Sequence, residues 1–428
     1  MSSARLAALD AMSLLRRGTF SQDALDAAIG SARLDARDAA LCERIVRTAV
    51  QNLTYVDYVI GLWCSTPVKK LEAAVLDILR VSAAQLLFLD RVPPSAAVNE
   101  GVSLCRARGK SRAAGLVNGV LRRIAENRDS VPDVPGSGTA EYLSVKYSHP
   151  LWLVRGFMAR RGYEGAEALL AADNAEPPLT IQTNTLKTSP EELFSAIQAQ
   201  GCEVRPGLCR GSFDLRAAGG VEKLPGYAAG EFYVQDSAAR MAVESIGLEP
   251  GMKVLDACSA PGGKSFAAAM LMRGEGSILA CDLKAKRLAR VSEGAKRLGV
   301  GGMIGTRVMD ARRPGEELHG TFDVVIADAP CSGLGVIRRK PEIRFKSAEE
   351  IAQLPEIQLD ILRGLAPCVK PGGVLLYSTC TLLQRENEDA VRAFLGENSG
   401  FTVTGERTLW PDIDKTDGFF ICRMVKSI

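Results

Sequence analysis

The chain has 428 residues, 46% hydrophobic and 24% charged, with 53 Lys+Arg against 50 Asp+Glu, a net charge of +3 and two histidines. Such a length exceeds what one hydrophobic core usually serves, so two or three domains are expected. No apolar run is long enough to span a bilayer and Met1-Ser2-Ser3-Ala4-Arg5-Leu6 lacks an apolar signal core, while eleven cysteines without a C-x-x-C pair, alongside only His149 and His319, argue against a zinc site or a disulfide framework. The expectations are therefore a cytoplasmic location, reduced thiols, no metal and no membrane partner.

Residues 4 to about 127 place apolar residues at three- and four-residue spacing, as in Leu6-Ala7-Leu9-Ala11-Leu14-Leu15 and Leu71-Val75-Leu76-Ile78-Leu79, which predicts successive amphipathic helices. Ser21, Thr66-Pro67 and Pro93-Pro94-Ser95 read as helix starts, and Gly18, Gly30 and Gly109 as ends. Residues 1–130 carry 18 Lys/Arg against 13 Asp/Glu, so the positive excess sits in this part. Arg106, Arg108, Lys110, Arg112, Arg122 and Arg123 form a basic cluster that suits either solvent or RNA phosphates. The breaker-rich stretch 131–139 reads as a linker.

From 140 to 233 a helix (Trp152 to Ala172), a strand (Leu179 to Asn184) and a helix (Pro190 to Gln200) predict a small α+β connector. Beyond it apolar strands alternate with helices: Lys253–Asp256, Ser277–Asp282, Arg307–Asp310, Phe322–Asp328 and Gly373–Ser378. That alternation predicts a parallel sheet covered on both faces. Four of these strands close on aspartate, and in an open α/β sheet ligands sit beyond the carboxyl ends. The last two strands, Phe401–Thr404 and Phe419–Val425, read as an antiparallel hairpin. The fold class expected is thus multidomain: an all-α N-terminal domain, the α+β connector, and an α/β Rossmann-like domain over 234–428.

Asp256-Ala257-Cys258-Ser259-Ala260-Pro261-Gly262-Gly263-Lys264-Ser265 follows a strand and opens a helix, where backbone N–H groups bind anions. It lacks the dinucleotide and nucleoside-triphosphate fingerprints, so a carboxylate-bearing nucleoside fits better. Asp282 is placed to accept from ribose hydroxyls and Asp310 from an adenine amino group.

Two cysteines then close strands, Cys331 in Asp328-Ala329-Pro330-Cys331-Ser332-Gly333 and Cys380 in Tyr377-Ser378-Thr379-Cys380. Carbon 5 of cytosine is too electron-poor to take a methyl group directly. A thiolate added at carbon 6 turns the ring into an enamine, and an acid such as Asp328 at nitrogen 3 accepts the displaced density. Either sulfur satisfies this argument. Cys42, Cys64, Cys105, Cys281 and Cys422 read as small buried hydrophobes, and both histidines as loop residues.

On these motifs the sequence resembles the Sun (Fmu, RsmB) branch of the RNA 5-methylcytosine methyltransferases, nearly end to end. The segments Arg91–Glu100 and Val117–Arg123 are similar to those of a NusB-type RNA-binding domain. The resemblance implies a class I methyltransferase domain, S-adenosylmethionine as cofactor, small-subunit (16S) ribosomal RNA as substrate, and a monomer. It implies that Cys258, Ser259, Ala260, Pro261, Gly262, Gly263 and Lys264 form the cofactor loop with Asp282, Asp310 and Asp328. It further implies Cys380 as nucleophile and Cys331 as the cysteine of product release. Gln235-Asp236-Ser237, Arg338–Glu342 and Gln358 resemble segments near the family's active site. Ser259 stands where alanine is usual. Rival readings are methylation of transfer RNA and a non-catalytic RNA-binding assembly factor.

Overall fold

A computed structural model of the chain describes residues 3–19, 21–216 and 220–428. Met1 and Ser2, the first residues of the N-terminal segment, lie outside the described residues. The chain divides into two compact units: one is residues 1–175 with 337–346, the other 176–336 with 347–428.

The first unit is helical. Ser3–Arg16, Ser21–Ala32, Ala36–Gln51, Leu53–Trp63, Ala73–Phe88, Pro94–Ala107 and Ala114–Asn127 enclose a core that includes Leu9, Ile45, Ile60, Ile78, Leu104 and Leu121. Gly18 and Gly109 adopt positive φ just beyond helix ends, as expected. Gly30 instead lies inside a helix that runs to Ala32, a glycine tolerated where no Cβ is needed for packing. Thr66-Pro67 opens only a 3₁₀ turn, Val68–Lys70, before the α-helix begins at Ala73.

Helices Ala140–Lys146 and Leu151–Asp173, the latter kinked at Gly162, fall in the same compact unit. One reason is visible in Ser148 Oγ, which accepts the Tyr55 N–H at 3.0 Å. Another is Arg344, supplied by the late segment 337–346 and fully buried. Its guanidinium donates to the carbonyls of Gln51 (2.9 Å), Tyr147 (3.2 Å) and Ser148 (3.3 Å) and to Asn174 Oδ1 (2.9 Å). A cation at helix C-terminal carbonyls satisfies acceptors the helices cannot, and it complements their dipoles. Burial pushes the Arg344 pKa down to about 10 against the charges of Asp173 and Glu342. Arg344→Met strands those acceptors and is expected to destabilise this unit by about 3 kcal/mol. Faster amide exchange at 48–56 and 144–150, with the strands of the other unit unchanged, checks it.

His149 lies in a loop but is buried, not solvent-facing. Its Nδ1 is 2.7 Å from the Tyr147 carbonyl, and burial followed by the Arg344 charge holds the ring well below the usual histidine pKa.

The second unit holds two sheets. The smaller is antiparallel in the order β2-β3-β1-β4, from β1 (Leu179–Thr183), β2 (Glu203–Pro206), β3 (Ser212–Arg216) and β4 (Phe232–Val234). Helix Pro190–Ala199, started by a Ser189/Glu192 capping box, packs Leu193 and Ile197 against Ile181, Phe213 and Phe232.

The larger sheet uses β5 (Lys253–Asp256), β6 (Ser277–Asp282), β7 (Ile304–Val308), β8 (Phe322–Asp328), β9 (Val369–Thr379), β10 (Phe401–Leu409) and β11 (Phe419–Lys426), in the order β10-β11-β9-β8-β5-β6-β7. Strands β5 to β9 are parallel, and the β10/β11 hairpin adds antiparallel to β9. Alternate residues of β8 serve opposite faces: Val324 and Ile326 enter one core, Val325 and Ala327 the other. Chain order reverses on either side of β5, which makes the β5/β8 carboxyl ends the ligand crevice. A short helix with no clear sequence signal, Pro411–Asp414, joins the hairpin strands. Among the described residues no helix is long and apolar enough to cross a membrane, and no group of three metal-ligating side chains exists.

Candidate active site

Strand β5 delivers Asp256, and the turn beyond it leads to helix Gly263–Leu271. Ser259 N–H donates to the Cys281 carbonyl on neighbouring β6 at 2.8 Å, and Gly262 N–H to the Ser259 carbonyl at 2.7 Å. Gly262 has φ 112°, and a Cβ there would lie 2.5 Å from the Phe266 ring, so only glycine fits. The turn therefore presents main chain, not side chains, at a helix N-terminus.

Asp256 is fully buried, accepts Ser265 Oγ–H at 2.6 Å through Oδ2, and leaves Oδ1 without a partner. Burial raises its pKa to about 6, against the pull of the Ser265 hydrogen bond and the Lys264 charge. Because the folded value lies above the unfolded one, the contribution to stability is fully present below the unfolded pKa and lost as pH rises through about 6. Asp256→Asn is thus expected to gain on the parent by up to about 3 kcal/mol between roughly pH 4 and pH 8. Denaturant melts at the two pH values measure the difference.

Asp282, closing β6, accepts the Lys284 N–H at 3.0 Å and pairs with Arg287 at 3.2 Å, while Arg287 also donates to the Ala260 carbonyl at 3.1 Å. The Cys258 thiol is pushed far above its ordinary pKa by burial and then by the charges of Asp328, Asp256 and Asp282. One sulfur thus feels three strand-end carboxylates. Asp310 departs from expectation, because β7 ends at Val308 and leaves Asp310 two residues beyond the strand. Its carboxylate takes the Arg312 N–H at 3.0 Å and the Arg312 guanidinium through both oxygens, which turns the chain out of the ladder and depresses the carboxyl pKa.

Strands β8 and β9 place the second half of the site. Their parallel register sets Asp328 opposite Ser378, whose Oγ–H donates to Asp328 Oδ1 at 2.8 Å. Lys264 Nζ lies 2.6 Å from Asp328 Oδ2 and 5.1 Å from the Phe419 ring centroid, so the helix after the glycine turn and the strand end are joined by an ion pair. Two and three residues past that rung the chains bring Cys380 and Cys331 together, with their sulfurs 3.2 Å apart. Both are free thiols. The hydrogen bond to Cys380, then burial, then the Cys380 and Glu386 charges hold the Cys331 thiol well above its ordinary pKa.

Sequence reasoning missed what holds the sulfurs. Ser332 Oγ and Thr381 Oγ1 are 2.7 Å apart, linking the residues that follow the two cysteines. Buried Glu386 accepts the Ser332 N–H at 2.8 Å and the Gln358 side chain at 3.0 Å, and Asn387 donates to the Thr381 carbonyl at 3.0 Å. Gln358 carries a signal only through its resemblance to a family segment. Glu386 and Asn387 carry no periodic or motif signal, and the polar stretch around them reads as an ordinary helix start.

The basic cluster of the helical unit is only partly available. Arg108 pairs with Asp10 and Lys110 with Glu72, whereas Arg106, Arg112, Arg122 and Arg123 are exposed.

Residues 245–425 match the family model described as 16S rRNA methyltransferase RsmB/F, residues 2–126 the NusB family, and residues 149–221 the RsmF/B-like ferredoxin-like domain. The probable ribosomal RNA small subunit methyltransferase B of Bacillus subtilis (strain 168) is 34% identical over 446 residues, covering 99% of both chains. The ribosomal RNA small subunit methyltransferase B of Cronobacter sakazakii is 32% identical over 91% of both. Among solved structures, that of PH0851 superposes with a TM-score of 0.82 at 26% identity, covering 100% of this chain and 99% of its own. A methyltransferase homolog protein from Pyrococcus horikoshii gives 0.60 at 25% identity, over 68% of this chain and 100% of that one. With relatives aligned from end to end and helical, connector and catalytic parts all matched in order, the chain belongs to the 16S rRNA methyltransferase RsmB/F family.

Proposed function

We propose that the protein transfers a methyl group from S-adenosylmethionine to carbon 5 of a cytosine in small-subunit ribosomal RNA, through a covalent adduct between Cys380 and carbon 6. The observation that carries this reading is the pair of sulfurs 3.2 Å apart beyond the Asp328–Lys264 ion pair. When bound, S-adenosylmethionine supplies an electrophilic sulfonium methyl to carbon 5. The residues present fit that group. A glycine turn at a helix N-terminus suits its carboxylate, the acidic strand ends suit its positive charge, and Ser259 Oγ and Asp256 Oδ1 are buried without partners. Asp282 takes the ribose hydroxyls and Asp310 the adenine amino group, with Cys258 through Lys264 forming the cofactor turn.

Cys380, as thiolate, forms the bond to carbon 6 while the displaced electron pair moves toward nitrogen 3. Asp328, backed by Lys264, hydrogen-bonds or protonates that nitrogen. In release, with Cys331 taking part directly or through water, water takes the carbon 5 proton, the freed electron pair re-forms the ring double bond and the bond to Cys380 breaks to return its thiolate. Neither histidine lies in the motifs of the site, His149 being buried in the helical unit and His319 exposed. The target nucleotide must be unpaired or extruded to reach a half-buried sulfur.

We further assign residues 1–130 as an RNA-binding domain whose exposed Arg106, Arg112, Arg122 and Arg123 contact phosphates, joined through 131–139 and a connector over 140–233 to a catalytic domain over 234–428. Incubating the protein with 16S ribosomal RNA and methyl-labelled S-adenosylmethionine, then mapping the labelled base, tests the whole reading. Label at carbon 5 of a cytosine is expected. Label on another atom, or on transfer RNA in preference, overturns it.

A further inference from the structure

The two cysteine loops are clamped from behind by side chains that the reaction does not use. Gln358 Nε2 donates to the Pro330 carbonyl at 3.0 Å and to Glu386 Oε2 at 3.0 Å, and the same Oε2 accepts the Ser332 N–H at 2.8 Å. The residues before and after Cys331 are thus tied to one carboxylate. The tie continues to the other loop. Tyr377 OH donates to the Glu386 carbonyl at 2.5 Å, and neighbouring Asn387 holds Thr379 Oγ1 at 2.5 Å and the Thr381 carbonyl at 3.0 Å, the residues on either side of Cys380. Glu386 is fully buried, and its Oε1 has no hydrogen-bond partner. A buried carboxylate oxygen without a donor destabilises a fold, and a neutral side chain would relieve it.

We propose that Glu386 is a positioning residue: by clamping the main chain around Cys331 it sets the spacing of the two sulfurs, and its charge decides which of them carries the proton. This rests on the reading of Cys380 as nucleophile. The groups that hold the Cys331 thiol up are Cys380 and then Glu386, the Tyr377 phenol lies near it, and the Gly333 N–H acts in the opposite sense. A fixed negative charge beside Cys331 disfavours its thiolate, so the ionised sulfur is Cys380. Cys331 then donates its S–H to Cys380 across 3.2 Å, which orients the nucleophile.

Two variants separate the clamp from the charge. Glu386→Gln keeps an acceptor for the Ser332 N–H and the Gln358 side chain but removes the charge. Glu386→Asp keeps the charge on a shorter arm that no longer reaches both donors. Peptide-resolved alkylation with iodoacetamide over roughly pH 6–10 reads the Cys331 thiol without any methyl transfer. In Glu386→Gln the Cys331 rate near pH 8 is expected to rise about tenfold, because loss of the neighbouring charge enlarges the thiolate fraction by that factor. In Glu386→Asp the profile stays at that of the parent. Both are expected to lower kcat about tenfold or more with KM for RNA and for S-adenosylmethionine within about twofold, the pattern of a misplaced reacting group. Identical Cys331 profiles in all three proteins, or full kcat in Glu386→Asp, overturn the proposal, and should Glu386→Gln fail to fold, the second result decides alone. If the profiles change as expected while cytosine is never methylated, the functional reading fails and only the effect of Glu386 on the two sulfurs stands.

Discussion

Cys380→Ala is expected to lower methyl transfer by at least about 10³-fold, some 4 kcal/mol of activation free energy, with the fold intact. The loss is large because, on the proposed reading, carbon 5 gains nucleophilic character only after the Cys380 sulfur adds to carbon 6. Cys331 lies 3.2 Å away and is assigned to release rather than attack. The companion variant has the opposite signature. Cys331→Ala leaves the attacking sulfur in place and removes the group assigned to release, so a covalent protein–RNA species stable to denaturing gels is expected to accumulate. Mass spectrometry of that species should locate the link on the peptide holding Cys380. Full turnover in Cys380→Ala, with turnover abolished in Cys331→Ala, would exchange the two roles.

The second large effect is expected at Asp328. Asp328→Asn conserves shape and an acceptor for the Ser378 hydroxyl, yet it removes the charge 2.6 Å from Lys264 Nζ and the group proposed to hydrogen-bond or protonate nitrogen 3. A fall in turnover of about 10²- to 10⁴-fold is expected, the usual worth of a placed general acid. Lys264, itself buried, is left without its counter-ion, so stability should fall as well. A double-mutant cycle with Lys264→Met separates the two consequences. Coupling of about 2 kcal/mol in the unfolding free energy is expected if the pair acts as a unit, and additive stability losses would show that the two charges act independently.

Much of the architecture is legible in local pattern. The three- and four-residue spacing of Leu6 to Leu15 and Leu71 to Leu79 encodes helices, and the apolar runs ending in Asp256, Asp282 and Asp328 encode parallel strands, because side-chain periodicity and burial are short-range properties. Elements too short to show a period are not legible. Strands β2 to β4 span five residues or fewer, and β7 stops two residues short of Asp310, an aspartate that looks like its strand-end counterparts until its turn with Arg312 is seen.

Composition and motif, then, determined a helical unit, an α/β unit, a glycine turn after β5 and two strand-end cysteines. Only the folded chain decided that Cys331 and Cys380 lie 3.2 Å apart, that Lys264 reaches Asp328, that Glu386 stands behind both sulfurs, and that Arg344 leaves the catalytic region of the sequence to close helix ends around Gln51 and Ser148. The reason is one of range. Periodicity reports which face of an element is buried, whereas those contacts join residues 49 to 293 positions apart or sit on a rung such as Asp328 opposite Ser378, a register set by how whole strands pack.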